Sequence, residues 1–394
     1  MKKIFRLLAT ILICAFVLSS VNLSALNQTI RDEFNAQAEL IESLRSYSSD
    51  YYRNTLTDEK EVELYDRVLT AMLYRKSECS FYFTDSAELN KIAIYVCLDN
   101  PFLTITNQYY ESENGYGNQN VLEQTLNISY LPFSFPDANY YEKMTEVVDE
   151  ANKIILGMPQ FDNEYDKAKY LHDYIVGSVR YTYDYSDTDA DTAYGALINH
   201  TARCEGYTDA YAILLKLAGI DSAKVIYFGS DINESAGHIW NMISLDGNWY
   251  HVDTTNDSFG NDETIPQDYA SYAFFLISTE DILKSYPINS LIQSLVPACD
   301  NDTDNFFVRN GLYFDSYDRY DVGKAAGLFL HSQLIDGLNG VSVKFSNESA
   351  YNKALADNEI PYLLYIISDY DGANTRYYNY FYNDQQLVIT FFAN

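Results

Sequence analysis

Hydrophobic positions recur near helical spacing through the first hundred residues. Phe34, Leu40, Ile41, Leu44 and Tyr47 make one stripe; Val62, Leu64, Val68, Leu69 and Leu73 make a second, opened by a Thr57-Asp58 cap. A third helical stretch begins near Asp85-Ser86 and stops at Asn100-Pro101, because proline disfavours helix for the residue before it. Leu103 to Tyr110 is expected to be extended, and the Gly/Asn/Glu-rich run Glu111 to Asn120 to be a loop. Two more helices are predicted over Tyr141 to Leu156 and Tyr165 to Val176. A short extended piece at Tyr181 to Asp184 and a polar loop at Ser186 to Asp191 follow them. Past Asp300 strands are read at Phe306 to Phe314 and Val341 to Phe345, with a helix over Asp321 to Leu334 between them. Tyr362 to Ile367 and a terminal pair, Tyr377 to Tyr382 and Leu387 to Phe392 around Asn383-Asp384, complete a small α+β module.

These patterns divide the chain at 1–25, 26–133, 134–300 and 301–394. At 394 residues it exceeds the usual size of one domain, and 47% hydrophobic residues suffice for ordinary cores. The first piece is a leader: Lys2, Lys3 and Arg6 precede an apolar run from Leu7 to Leu18, and small residues end at Ser24 and Ala25. That is the layout of a secretory signal, too short for a membrane span. A lipid-anchored variant would use Cys14, but Ile13 is bulky where a small residue is expected. A secreted or cell-surface protein follows, free or tethered. The net charge of −30 argues against nucleic acid, which needs a basic surface. The 38 tyrosines are spread rather than clustered.

Export permits disulfides, yet only Cys79, Cys97, Cys204 and Cys299 follow the leader, which is no disulfide framework. A Cys79–Cys97 bridge would be local. Cys204 differs by its neighbours. Tyr207, Tyr211, Leu214, Leu215 and Ala218 share one helical face, and Gly219 stands where a helix C′ residue belongs. Cys204 therefore lies in the first turn, where unpaired backbone N–H groups favour a thiolate and could receive an oxyanion. A lone cysteine is otherwise most often a buried core residue.

The hairpin downstream changes that balance. From Gly237 to Leu245, His238, Trp240, Met242 and Ser244 point one way and Ile239, Asn241, Ile243 and Leu245 the other. Asp246-Gly247 is the preferred two-residue type I′ turn, so Leu245 should pair with Asn248. Continued, the register sets Met242 opposite His251, Trp240 opposite Asp253 and His238 opposite Thr255. His238 and Asp253 then share a face as diagonal neighbours, within reach of a hydrogen bond. A thiolate needs a histidine to hold an ion pair and deliver a proton, and the histidine needs a carboxylate to fix its tautomer. Cys204, His238 and Asp253 supply those three groups. His251 reads as a half-buried sheet residue and Asp257 as loop; His172 and His200 have no predicted carboxylate partner, and His331 falls in the last module. A metal site on Cys204 is disfavoured, since there is no C-x-x-C and the nearest histidine is four residues upstream.

Arg203-Cys-Glu-Gly-Tyr207, Gly237-His-Ile-Trp-Asn241 and Trp249-Tyr-His-Val-Asp-Thr-Thr255, with Ala193-Tyr-Gly-Ala-Leu197 upstream, resemble the bacterial transglutaminase-like family. The resemblance spans about Tyr165 to Asp257. It implies an α+β fold: a papain/transglutaminase-like core with a cysteine-bearing helix packed on an antiparallel sheet. A mostly helical N-terminal domain and a small α+β C-terminal domain flank it. It also implies Cys204 as nucleophile, His238 as base and Asp253 as orienter, with no cofactor. The chemistry implied is a thioester formed from a glutaminyl or peptide carbonyl and resolved by an amine or by water. Protein or peptide substrates, cell-wall or surface proteins among them, would be the partners. Tyr194 and Tyr183 are positional candidates for a second oxyanion donor. Trp240 and Trp249 read as packing residues, Trp240 also as a wall beside the thiolate. The competing reading is a non-catalytic cell-surface binding protein that retains the fold.

Overall fold

The computed structural model describes residues 23–76, 78–83, 87–105, 108–115, 122–130, 139–228, 237–259, 269–333, 340–372 and 378–393. They group into two compact units, Met1–Ser46 and Tyr47–Asn394. The leader reading falls outside the described residues except for its last three, which open helix α1 (Leu23–Ser46). Among the described residues no helix is long and apolar enough to cross a membrane.

The larger unit opens with helices α2 (Glu59–Leu73) and α3 (Ala87–Asp99) and a three-stranded antiparallel sheet of β1 (Glu78–Phe83), β2 (Gln108–Gly115) and β3 (Leu122–Tyr130), in the order β1-β3-β2. Asp58 caps α2 as predicted, its carboxylate accepting from Lys60 N. Glu111 to Gly115 are strand rather than loop. Their polar composition hid a ladder that runs from Gln108↔Tyr130 to Gly115↔Glu123, and pairing of this kind overrides local propensity. The Cys79 side chain lies outside the described ones, and with it the Cys79–Cys97 bridge.

The central segment holds α4 (Tyr140–Gly157) and α5 (Glu164–Ser178), close to the predicted bounds. Short β4 (Arg180–Tyr181) and β5 (Thr201–Ala202) pair in parallel around α6 (Ala193–Leu197). Next comes α7 (Cys204–Ala218), ended by Gly219 in the left-handed region (φ 79°). An antiparallel sheet follows, ordered β6 (Ser222–Tyr227), β7 (His238–Leu245), β8 (Asn248–Val252) and β9 (Phe275–Ile277). Helix α7 is buried nearly all round over Glu205–Leu215, because it packs on β6 and β7 and against α4, α5 and α6. This is a mixed α+β fold with the cysteine helix against an antiparallel sheet.

After two one-turn helices, α8 (Thr254–Asp257) and α9 (Thr279–Ile282), the chain forms α10 (Phe306–Arg309), β10 (Tyr313–Phe314) and α11 (Arg319–Gln333). Strand β11 (Gly340–Phe345), α12 (Glu348–Ala354), α13 (Glu359–Tyr370), β12 (Tyr378–Asn383) and β13 (Val388–Ala393) complete a sheet ordered β10-β11-β13-β12. The strand read over Phe306 to Phe314 holds only at Tyr313–Phe314. Phe306 to Arg309 is a helical turn capped by Asn305, whose side chain accepts from Phe307 N. Tyr362 to Ile367 lies inside α13, which buries Ile360, Leu363 and Ile367 at helical spacing. Short apolar runs fit either period, and the tertiary contacts decide between them.

Candidate active site

Asp246 and Gly247 both take positive φ, 49° and 84°, as a type I′ turn requires. They set Leu245↔Asn248, Ser244↔Trp249 and Met242↔His251, the predicted register. The ladder ends at Asn241↔Val252. Beyond it the chain leaves the sheet, so Asp253 and Thr255 do not face Trp240 and His238 across strands. Asp253 instead caps α8, its Oδ1 accepting from Thr255 N (3.1 Å) and Asn256 N (3.2 Å). Its Oδ2 is left to accept from His238 Nε2 at 2.6 Å. The predicted pair is therefore made by a helix cap, not by strand diagonals.

The Cys204 thiol, partly exposed at the first residue of α7, is near enough to His238 to help raise its imidazole. With Nε2 engaged by Asp253, Nδ1 is the ring nitrogen left to serve the sulfur. Burial disfavours a charged His238, but the Asp253 carboxylate and the sulfur outweigh it and raise the imidazole to about 10. The Asn256 amide donates to Asp253 Oδ2 and lies 3.0 Å from His238 Nε2; its oxygen accepts from Tyr286 OH at 3.3 Å. The Tyr286 ring lies 4.5 Å from the imidazole, centroid to centroid, and Trp240 stacks at 5.9 Å with 21° between planes. These rings pack on the imidazole, with Trp240 on the strand beside it. Neither Tyr286 nor Asn256 carried a sequence signal, since each acts through packing that only the fold creates.

Three devices hold the sulfur in register. The Arg203 guanidinium forks onto Asp191 (Nε–Oδ1 and Nη2–Oδ2, both 2.6 Å) and donates to the carbonyls of Asp184 and Asp187 (both 2.7 Å). It thereby ties the loop before α6 to the start of α7. Gly206 lets that loop approach, since a Cβ there would stand 2.6 Å from Ala190 O and 2.8 Å from Thr192 O. Thr208 Oγ1 donates to Ile239 O (3.0 Å), and Asn241 Nδ2 donates to Thr208 O (3.1 Å), which fastens helix to hairpin.

Expectations are revised at His251, Asp257 and His172. His251 is fully buried, not half-buried. Its Nδ1 accepts from Trp240 Nε1 (3.1 Å), so the ring is neutral, and burial lowers it to about 4. Asp257 is not loop but the buried end of α8, and it is a carboxylate partner of His172 after all (3.1 Å). Asp173 is the second such partner, at 3.0 Å. Tyr194 points its hydroxyl to Glu146 (3.4 Å), Tyr183 is exposed, and Trp249 packs edge-on against Tyr51. His200 sits at positive φ (54°) and His331 faces Asp371 O. Among the described residues no group of three His, Cys, Asp or Glu side chains could hold a metal ion.

Fold and site together define a hydrogen-bonded His238–Asp253 pair, with the partly exposed Cys204 at the head of α7, on a helix-over-sheet core. Residues 158–254, which contain all three predicted site residues, match the model of the transglutaminase-like superfamily; that stretch, about a quarter of the chain, is transglutaminase-like. Similar solved structures include a TGase (16% identity, TM-score 0.28, covering 51% of this chain and 56% of that one). A putative cysteine protease from Cytophaga hutchinsonii shows 13% identity and a TM-score of 0.25, covering 45% of this chain and 72% of that one. The periplasmic domain of TgpA from Pseudomonas aeruginosa, bound to ethylmercury, shows 16% identity and a TM-score of 0.23, covering 40% and 71%. The chain thus covers little more than half the length of the TGase. No curated protein matches.

Proposed function

We propose that this is an exported transglutaminase-like cysteine enzyme in which Cys204 attacks a glutaminyl or peptide carbonyl. The observation that carries the reading is the His238–Asp253 hydrogen bond at 2.6 Å, with the Cys204 thiol near enough to help raise the imidazole. The sulfur forms a bond to the carbonyl carbon, and the resulting oxyanion can be received by N–H groups at the start of α7. The C–N bond breaks as His238 gives its proton to the leaving nitrogen, and a thioester remains. An amine or water then attacks the thioester carbon and passes a proton to His238. The S–C bond breaks, giving a new amide in one case and a carboxylic acid in the other. Export rests on the basic-apolar-small pattern of residues 1–25. The same reading takes 26–133 and 301–394 as flanking domains of a 134–300 core.

The test is incubation with a glutamine-containing peptide, with and without a primary amine, followed by mass measurement. Loss of ammonia with gain of the amine marks a transferase; deamidation or backbone cleavage marks a hydrolase. Either reaction should vanish in Cys204→Ala. An unchanged peptide in every arm would favour the binding-protein reading.

A further inference from the structure

A cluster of charged groups that the reaction leaves unused is centred on a buried histidine and reaches α8 through Asp257. His172, on α5, is wholly buried. Its Nδ1 lies 3.0 Å from Asp173 Oδ1 and its Nε2 lies 3.1 Å from Asp257 Oδ2. Both ring nitrogens face carboxylates, which satisfies them fully only when both carry protons. Lys169 Nζ reaches Asp173 Oδ2 at 2.6 Å and the Tyr272 hydroxyl at 2.9 Å, and that hydroxyl donates to Asp173 Oδ2 at 3.1 Å. Two cations and two carboxylates balance, so the cluster buries little net charge. Tyr272 stacks on the imidazole at 5.6 Å, Phe275 lies at 4.6 Å and Tyr211 edge-on at 6.4 Å.

What Asp257 does with its other atoms connects this cluster to the candidate site. Asp257 Oδ1 accepts from Ser271 Oγ (2.6 Å) and from Phe274 N (3.0 Å). Phe274 O in turn accepts from Asp253 N at 3.1 Å, and Asp257 N donates to Asp253 O at 3.1 Å. Asp253 is thus held on both sides by groups that Asp257 anchors, at the point where the chain leaves the β7–β8 ladder.

We infer that His172 is a positioning residue of the site: buried between Asp173 and Asp257, it fixes Asp257, and through it the α8 turn that aims Asp253 at His238. The inference rests on the acyl-transfer reading for its purpose, but its physical content does not. Loosening the turn lengthens a 2.6 Å charge-assisted hydrogen bond, and His238 loses the contact that keeps it protonated. The ion pair with Cys204 weakens with it.

The experiment follows the His238 ring proton by NMR against pH in wild type and His172→Gln, and measures Cys204 alkylation by iodoacetamide in the same samples. The expected result is a His238 midpoint lower by about one unit or more, a tenfold change in its protonation equilibrium. Alkylation at neutral pH should fall in parallel. The groups facing His172 are Asp173, Asp257, Lys169, Tyr272 and Tyr211, and the tyrosines are raised by burial, so they keep their protons across the range scanned. A folded variant with an unmoved His238 midpoint overturns the inference. Should His172→Gln not fold, Ser271→Ala removes one hydrogen bond from Asp257 and leaves every charge in place. It should move the midpoint the same way by less, and no movement overturns the inference equally. If wild-type Cys204 proves unreactive while the midpoint still shifts, the acyl-transfer reading fails and the positioning inference stands.

Discussion

Replacing Asp253 with Asn separates charge from shape at the candidate site. Asn caps a helix as well as Asp does, so its oxygen can keep accepting from Thr255 N and Asn256 N and α8 should survive. Its NH2 then stands where Oδ2 accepted from His238 at 2.6 Å. Two donors cannot share that contact, so Nε2 must become an acceptor and the neutral ring must carry its proton on Nδ1. That tautomer turns a donor toward Cys204 and cannot take the thiol proton. The energetics point the same way. His238 is raised to about 10 against the opposing effect of burial, and the Asp253 carboxylate is the largest raising influence. Without it, burial should carry the imidazole well down from about 10, in favour of the neutral ring. Acyl transfer should fall about a thousandfold to ten-thousandfold, the size of the same exchange in a serine triad. The assay pairs an NMR titration of His238 with the iodoacetamide rate at Cys204, and thermal unfolding serves as the fold control. A His238 midpoint within one unit of wild type would refute the reasoning, as would an unchanged alkylation rate.

Acid should weaken the fold through His251. The unfolded chain binds its proton below about pH 6.5 while the folded chain refuses it until about pH 4, so stability falls with pH across that window. The loss attributable to this one group is about 3 kcal/mol. Urea midpoints at several pH values in wild type and His251→Gln should differ in slope there, and parallel curves would count against a neutral buried ring. On the alkaline side the sign reverses. Stability contributed by protonated His238 is complete below about 6.5 and is lost as pH rises through about 10, and His238→Gln should flatten that limb of the same series. Gly206→Ala drives a methyl into the carbonyls of Ala190 and Thr192, backbone that cannot swing away. It should cost about 1–3 kcal/mol and slow Cys204 alkylation, because the start of α7 must shift; a variant with native stability and rate would show that the loop yields.

The site was more legible in the sequence than its supports. Cys204 was marked by the apolar face from Tyr207 to Ala218 and by Gly219, and α7 runs between those bounds. Asp246-Gly247 encodes its own backbone twist, and a local turn fixes register over the five pairs beyond it. Extrapolating that register one step too far reached the right partner for His238 by the wrong geometry, because a cap at Asp253 depends on where the strand stops. His172 and Asp257 stand 85 residues apart, and no local periodicity records such a contact. Tyr286 was silent for the same reason. In the last module Tyr362 to Ile367 and Phe306 to Phe314 were apolar runs too short to choose a period, and the helix read at Asp321 to Leu334 was long enough to choose correctly.

The most direct measurement is the site-resolved rate of iodoacetamide modification in the native protein, followed by peptide mass mapping at neutral pH. Cys299 is buried, with a thiol pushed up to about 11, and provides the internal reference. Cys204 should react far ahead of Cys299 in wild type, and His238→Ala should erase most of that lead while leaving Cys299 unchanged. Equal rates at Cys204 with and without His238 would contradict the claim that the histidine activates this sulfur.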